Sequence, residues 1–67
     1  MIKLDVLKGK LREKGKTYKD CATYLSISPL TFHNKINGET EFSTVEASKL
    51  SNFLGLTEDE KLNIFFN

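Results

Sequence analysis

TYKDCATYLSISPLTFHNKING, residues 17–38, reads as two short helices joined by a tight turn, and the rest of the chain is arranged around it. Thr17 is a good N-cap, and Asp20 at the N3 position puts a negative charge at the positive end of the helix that starts there. Cys21, Ala22 and Leu25 then share one face, with Ala22 small enough to let another helix cross closely. Ile27, inside the turn, is expected to plug the angle between the two helices. A second start follows at once, because Ser28 can cap and Pro29 takes the first helical position, where its missing N–H costs nothing. Phe32 and Ile36, four apart, form the buried stripe of this helix and leave Pro29, Leu30, His33 and Asn34 on its outer side. Gly38 ends it, as a residue able to take positive φ just past a helix. The two helices are placed at about 17–25 and about 29–37.

The flanks follow the same grammar of cap, apolar period and stop. Leu4, Leu7 and Leu11, at i, i+3 and i+7, predict a first helix that stops at Gly15. Ser43 with Glu46 is a capping box, and Ala47, Leu50, Phe53 and Leu54 carry a fourth helix to Gly55. Thr57 with Glu60 is another, opening a fifth helix whose apolar surface comes from Leu62, Ile64, Phe65 and Phe66. No segment sustains period-two alternation. The predicted fold is therefore all-α, five short helices in one domain over residues 1–67.

Composition narrows the function classes. A core built from 67 residues supplies only about 3–5 kcal/mol of net stability, so help from a partner chain is a reasonable expectation. No apolar run is long enough to span a bilayer, and MIKLDVLKGK is too charged for a signal peptide, which predicts a soluble, cytoplasmic protein. One cysteine and one histidine exclude an internal disulfide and a tetrahedral Cys/His zinc site within one chain, so no metal and no cofactor are expected. Cys21 reads as a small core residue rather than a reactive thiol. With no phosphate-binding glycine loop and no nucleophile at motif spacing from a base, the chain is not expected to be an enzyme and no catalytic residue is assigned. Glu58, Asp59 and Glu60 read as first-turn acids favoured by the helix dipole rather than as paired catalytic carboxylates.

The net charge of +1 hides an asymmetry. Residues 1–35 carry eight Lys/Arg against three acids, net +5, whereas residues 36–67 carry two lysines against six acids, net −4. Lysines and Arg12 on the first three helices would form a basic surface suited to a nucleic-acid backbone, with an acidic opposite end.

Taken together, T-Y-K-D-C-A-T-Y-L-S-I-S-P-L-T-F-H-N-K-I-N-G, preceded by LKGKLREKG and followed by an apolar helix ending F-L-G-L, resembles the Cro and repressor type of helix-turn-helix domain of temperate phages. The resemblance covers nearly the whole chain and implies a lambda-repressor-like domain. The segment K-I-N-G-E-T-E-F-S-T is similar to that following the recognition helix in small Cro-like or repressor-modulating phage proteins. Three positions depart from the family: Tyr18 replaces its common glutamine, Ser26 its turn glycine, and Pro29 the usual arginine or serine. The second implies left-handed backbone at a serine, at modest cost.

Carried onto this sequence, the resemblance implies a DNA-binding transcriptional regulator that recognises a double-stranded operator with its third helix in the major groove. Pro29 and Leu30 would meet thymine methyls, while His33 and Asn34 would hydrogen-bond to base edges, Asn34 matching the adenine N6/N7 pair. Thr17, Tyr18, Lys19, Lys35, Asn37 and Thr40 would contact the sugar-phosphate backbone. The family usually binds as a homodimer. Ile64, Phe65 and Phe66 are more apolar than a small core needs and are candidates for a self-association or partner surface; in the other reading Leu62, Phe65 and Phe66 close the core against the first helix, with Phe65 inside and Phe66 partly exposed. One lysine and no arginine between Ser28 and Gly38, with Glu39 and Glu41 directly after, support a second function class: an antirepressor that uses the same fold to dock on a phage repressor protein and block its DNA binding.

Overall fold

The ends of the helices, more than their interiors, set the path of this chain. A computed structural model describes residues 2–66. Five helices follow in order, α1 (Leu4–Glu13), α2 (Tyr18–Leu25), α3 (Pro29–Ile36), α4 (Thr44–Leu54) and α5 (Glu58–Phe65), with no strand among the described residues. None of them is long and apolar enough to cross a membrane.

The expected starts form as hydrogen-bonded caps. Thr17 Oγ1 accepts the Asp20 N–H at 3.0 Å while the Asp20 carboxylate accepts the Thr17 N–H at 3.0 Å. Ser43 with Glu46 and Thr57 with Glu60 repeat this reciprocal box, and Ser28 Oγ accepts the Thr31 N–H ahead of Pro29. The Asp20 carboxyl is held below its usual range, first by the Thr17 N–H and then by the Thr17 hydroxyl. α1 differs. Lys3 supplies no side-chain cap, and the start is held instead by its backbone N–H, which donates to the Ile64 carbonyl of α5 at 2.8 Å.

The first four helices stop with one geometry. The N–H of Lys16, Ile27, Glu39 and Leu56 reaches back to the carbonyl of Leu11, Ala22, Asn34 and Ser51, each closing a six-residue loop over a left-handed residue. Glycine holds that position after α1, α3 and α4. After α2 it is Ser26, at φ 59° and ψ 40°, as the resemblance implied. Gly38 has a second constraint, since a Cβ there would lie 3.3 Å from Leu4 Cδ1.

Inside, Leu7, Cys21, Phe32, Ile36, Leu50 and Ile64 are fully enclosed, with Leu11, Ala22, Leu25, Phe42, Ala47, Leu54 and Phe65 completing the core. Edge-on rings cross it from α2 to α5: Tyr18 to Phe32 at 5.5 Å, Phe32 to Phe42 at 5.8 Å, and Phe42 to Phe65 at 6.1 Å. Burial pushes the Cys21 thiol up to about 11, which suits an unreactive core residue. The C-terminal surface needs correction. Ile64 and Phe65 fall on the side of α5 that closes over α1 and Phe42, so they are core and unavailable to a partner. Phe66, 48% exposed, and Leu62, 46% exposed, are what α5 presents outward.

Lys10 of α1 and Glu60 of α5 form an ion pair across the two terminal helices. The Lys10 ammonium, helped by the Thr57 N–H, lowers the Glu60 carboxyl from its ordinary 4.5 to about 2. A depressed carboxyl contributes stability that is present above its unfolded value and lost as pH falls toward the folded one. The urea midpoint of Glu60→Gln is therefore expected to fall less than that of the parent between pH 5 and pH 2; parallel curves would refute the contribution.

Ser26 offers a sharper test. Left-handed backbone costs a non-glycine residue roughly 1–2 kcal/mol, and the added freedom of glycine in the unfolded chain takes back about 0.4–1 kcal/mol. Ser26→Gly is expected to stabilise by about 0.5 kcal/mol and Ser26→Val to destabilise, both read from urea midpoints at constant m.

Candidate nucleic-acid interface

α3 is presented by α2. Cys21, Ala22 and Leu25 pack against Phe32 and Ile36, the turn residue Ile27 is partly buried against the same core, and the opposite side of α3 stays open. Pro29, Leu30, Thr31 and His33 are exposed on it, with Leu30 at 69%. Asn34 is half-buried: its carbonyl accepts the N–H of Glu39 and Thr40 from the following loop, while its side chain forms no hydrogen bond among the described residues. Thr31 was not among the expected reading positions. Its place one residue beyond Leu30 on the exposed arc was legible from helical spacing, but its threonine carries no charge or ring to draw notice.

Charge is unevenly placed around that open face. Lys8, Arg12 and Lys16 of α1 and its turn line a cleft with Leu11, Thr17 and Tyr18 at the N-terminus of α2. The cleft borders α3 at two points: the Tyr18 ring lies 6.2 Å from the His33 ring, and Lys8 Nζ donates to Asn37 Oδ1 at 3.1 Å. Asn37 in turn donates to the His33 carbonyl at 2.9 Å. Three cations beside a helix N-terminus form an anion-attracting groove. In the sequence these lysines and Arg12 stand out only as a general bias, and none is named for the site, because only the fold gathers them in one cleft with the start of α2. The loop after α3 carries exposed Glu39 and Glu41 and adjoins the start of α1, where Glu41 lines a groove with Ile2 and Leu4.

The expected backbone-contact residues are dispersed. Thr17 and Tyr18 sit in the basic cleft, and Lys19 lies in an adjoining depression with Tyr24 and Phe53. Thr40 lines a separate apolar groove with Ile2, Leu4 and Phe42.

Lys35 requires correction: it is not a free cation on the α3 surface. Its side chain is only 14% exposed, and its Nζ lies 3.2 Å from Glu46 Oε1 and donates to the Glu41 carbonyl at 2.9 Å. Burial alone would push the Glu46 carboxyl up, but the Ser43 N–H and the Lys35 ammonium together hold it below the usual range. Helical position explains the misassignment. Lys35 precedes Ile36 and flanks Phe32, so its stem runs along the core edge and carries the ammonium to the start of α4.

No protein-family model, curated protein or solved structure matches this chain. Among the described residues no cluster of His, Cys, Asp or Glu is arranged to hold a metal ion.

Because Lys35 ties the loop over residues 37–43 to α4, Lys35→Ala leaves Glu46 partly buried without its cation. It is expected to lower unfolding stability by about 1–2 kcal/mol in urea titration. Unchanged stability would mean that the pair contributes nothing to holding the loop.

Proposed function

We propose that this protein is a DNA-binding transcriptional regulator of the phage Cro/repressor type, using the open face of α3 to read an operator in the major groove. The observation that carries the reading is the juxtaposition of that face with the Lys8, Arg12 and Lys16 cleft at the N-terminus of α2. A helix in the groove needs phosphate contacts on its flank to set its register, and cationic side chains with a helix N-terminus supply them. Leu30 and Pro29 suit thymine methyls, and the free Asn34 amide and His33 suit base edges. The longest dimension of the described chain, 28 Å, is less than the ~34 Å between successive turns of one groove, so two copies are needed to read two half-sites.

The alternative is an antirepressor that docks on a phage repressor protein. Two observations favour it: the single lysine of α3 is turned inward, and Leu30 stands 69% exposed with no cation beside it on α3. An apolar tip at the start of α3, together with exposed Glu39 and Glu41 after its end, suits a basic protein surface better than a phosphate backbone.

The two readings separate in paired binding assays, one against DNA flanking the coding sequence and one against the neighbouring repressor. Under the DNA reading, Arg12→Ala and Lys16→Ala weaken binding to all sequences alike, each reducing the log–log salt slope by about 1. Asn34→Ala instead relaxes the preference at one base pair, by about 1–3 kcal/mol of discrimination. DNA binding without salt dependence, or operator-blind binding with tight capture of the repressor, would rule the DNA reading out.

A further inference from the structure

Two surfaces away from the open face of α3 match each other in both polarity and charge. The first lies where α2 meets the end of α4. Tyr24 and Phe53 stack there with centroids 4.5 Å apart and planes at 25°, and Tyr24 is 45% exposed. Lys16 Nζ sits 4.8 Å over the Phe53 ring, and Lys19 and Thr23 complete the rim of the depression. Asp20 is the one acid in it, and its carboxylate already accepts the Thr17 N–H. The result is an aromatic pair with two lysines at its edge, Tyr24 exposed and Phe53 half-buried behind it.

The second surface is the outer face of α5. Glu58, Asp59, Leu62 and Phe66 fall within about 100° of one another on the helix, and all four are exposed. Neither Glu58 nor Asp59 forms an ion pair among the described residues, whereas Glu60 is turned to Lys10. Lys61, the one cation of α5, falls on the core side, in angle between Ile64 and Phe65. This stripe is apolar with acids at one end, the complement of an aromatic platform rimmed by lysines.

We propose that the Tyr24–Phe53 platform docks the acidic–apolar stripe of α5 from a second copy of this chain. Leu62 and Phe66 lie on the stacked rings, and Glu58 and Asp59 meet Lys16 and Lys19. Tyr24 and Lys19 on the first surface and all four residues of the second are exposed in the single chain, so neither surface covers the other within one molecule. Because the contact joins unlike patches, it closes as a two-fold pair only where both reciprocal junctions form together, and otherwise runs head to tail. It is also weak. A standard interface of about 800 Å² per partner would take roughly a fifth of the 4196 Å² surface, far more than one face of an eight-residue helix presents. The inference does not depend on what α3 binds, but it has a consequence for it: Lys16 lines both the platform and the basic cleft, so polyanion binding and self-association compete.

The test is sedimentation velocity on nuclease-treated protein, with circular dichroism to verify folding. At about 10 mM salt the weight-average sedimentation coefficient is expected to rise with concentration, and near 1 M, where charges are screened beyond ~3 Å, to fall toward the monomer value. K16E/K19E and E58K/D59K are each expected to be monomeric, and an equimolar mixture of the two to associate again, because every junction between unlike variants pairs opposite charges. Tyr24→Ser and Leu62→Ser, which change no charge and leave the first turn of α5 intact, are expected to remove association even if E58K/D59K loses helicity. A parent protein that stays monomeric at low salt, association unaffected by Tyr24→Ser and Leu62→Ser, or folded charge variants that fail to restore association when mixed would overturn the proposal.

Discussion

Enclosure of Phe32 is the constraint on which the remainder of the structure depends. Its ring is inaccessible to solvent and lies edge-on to Tyr18 from α2 and to Phe42 from the loop after α3. Those contacts fix how α3 sits on α2, and Phe42 passes the constraint to Phe65 and so to α5. α5 then supplies the carbonyl that starts α1, closing the arrangement through a backbone bond between residues far apart in sequence. Losing so large a buried ring would release several of these relations at once, at a cost of about 3–5 kcal/mol, comparable to the whole net stability expected of so small a core.

Electrostatics is layered over this packing. The basic first half and acidic second half are not simply two ends of a rod, because Lys10 is paired with Glu60 and Lys35 with Glu46. These pairs consume cations at the boundaries α1–α5 and α3–α4. Lys8, Arg12 and Lys16 remain gathered in one cleft, while Glu39 and Glu41 stand exposed in the loop after α3. The open face is therefore flanked by cations on its α1–α2 side.

Much of the fold was legible because its signals are local. Thr17, Ser28, Ser43 and Thr57 are caps whose partners lie three residues on, and Gly15, Gly38 and Gly55 stand where left-handed backbone is needed. Ser26 was read from the family's turn glycine, and the structure has it left-handed. The site was less legible. Lys35 looked like a phosphate contact because its charge is visible in sequence and its direction is not. Phe42 belongs to the core yet lies in an acidic loop with no apolar period to reveal it. Ile64 and Phe65 adjoin Phe66 in sequence, but a helix turns about 100° per residue, and that turn separates core from surface.

Sequence alone determined the number of helices, where four of them begin, where the first four stop, and which side of α3 carries Phe32 and Ile36. These properties depend on hydrogen bonds and periodicities spanning three to five residues, so they are written in local order. Only the tertiary structure decided which charges are available. Lys35 is withdrawn by α4, Lys10 by α5, and three cations are gathered at the start of α2, because long flexible side chains take their partners from whatever the packing brings near. The stretch from Thr17 to Gly38 therefore specifies the bihelical surface, while α1, α4 and α5 determine the field in which that surface works.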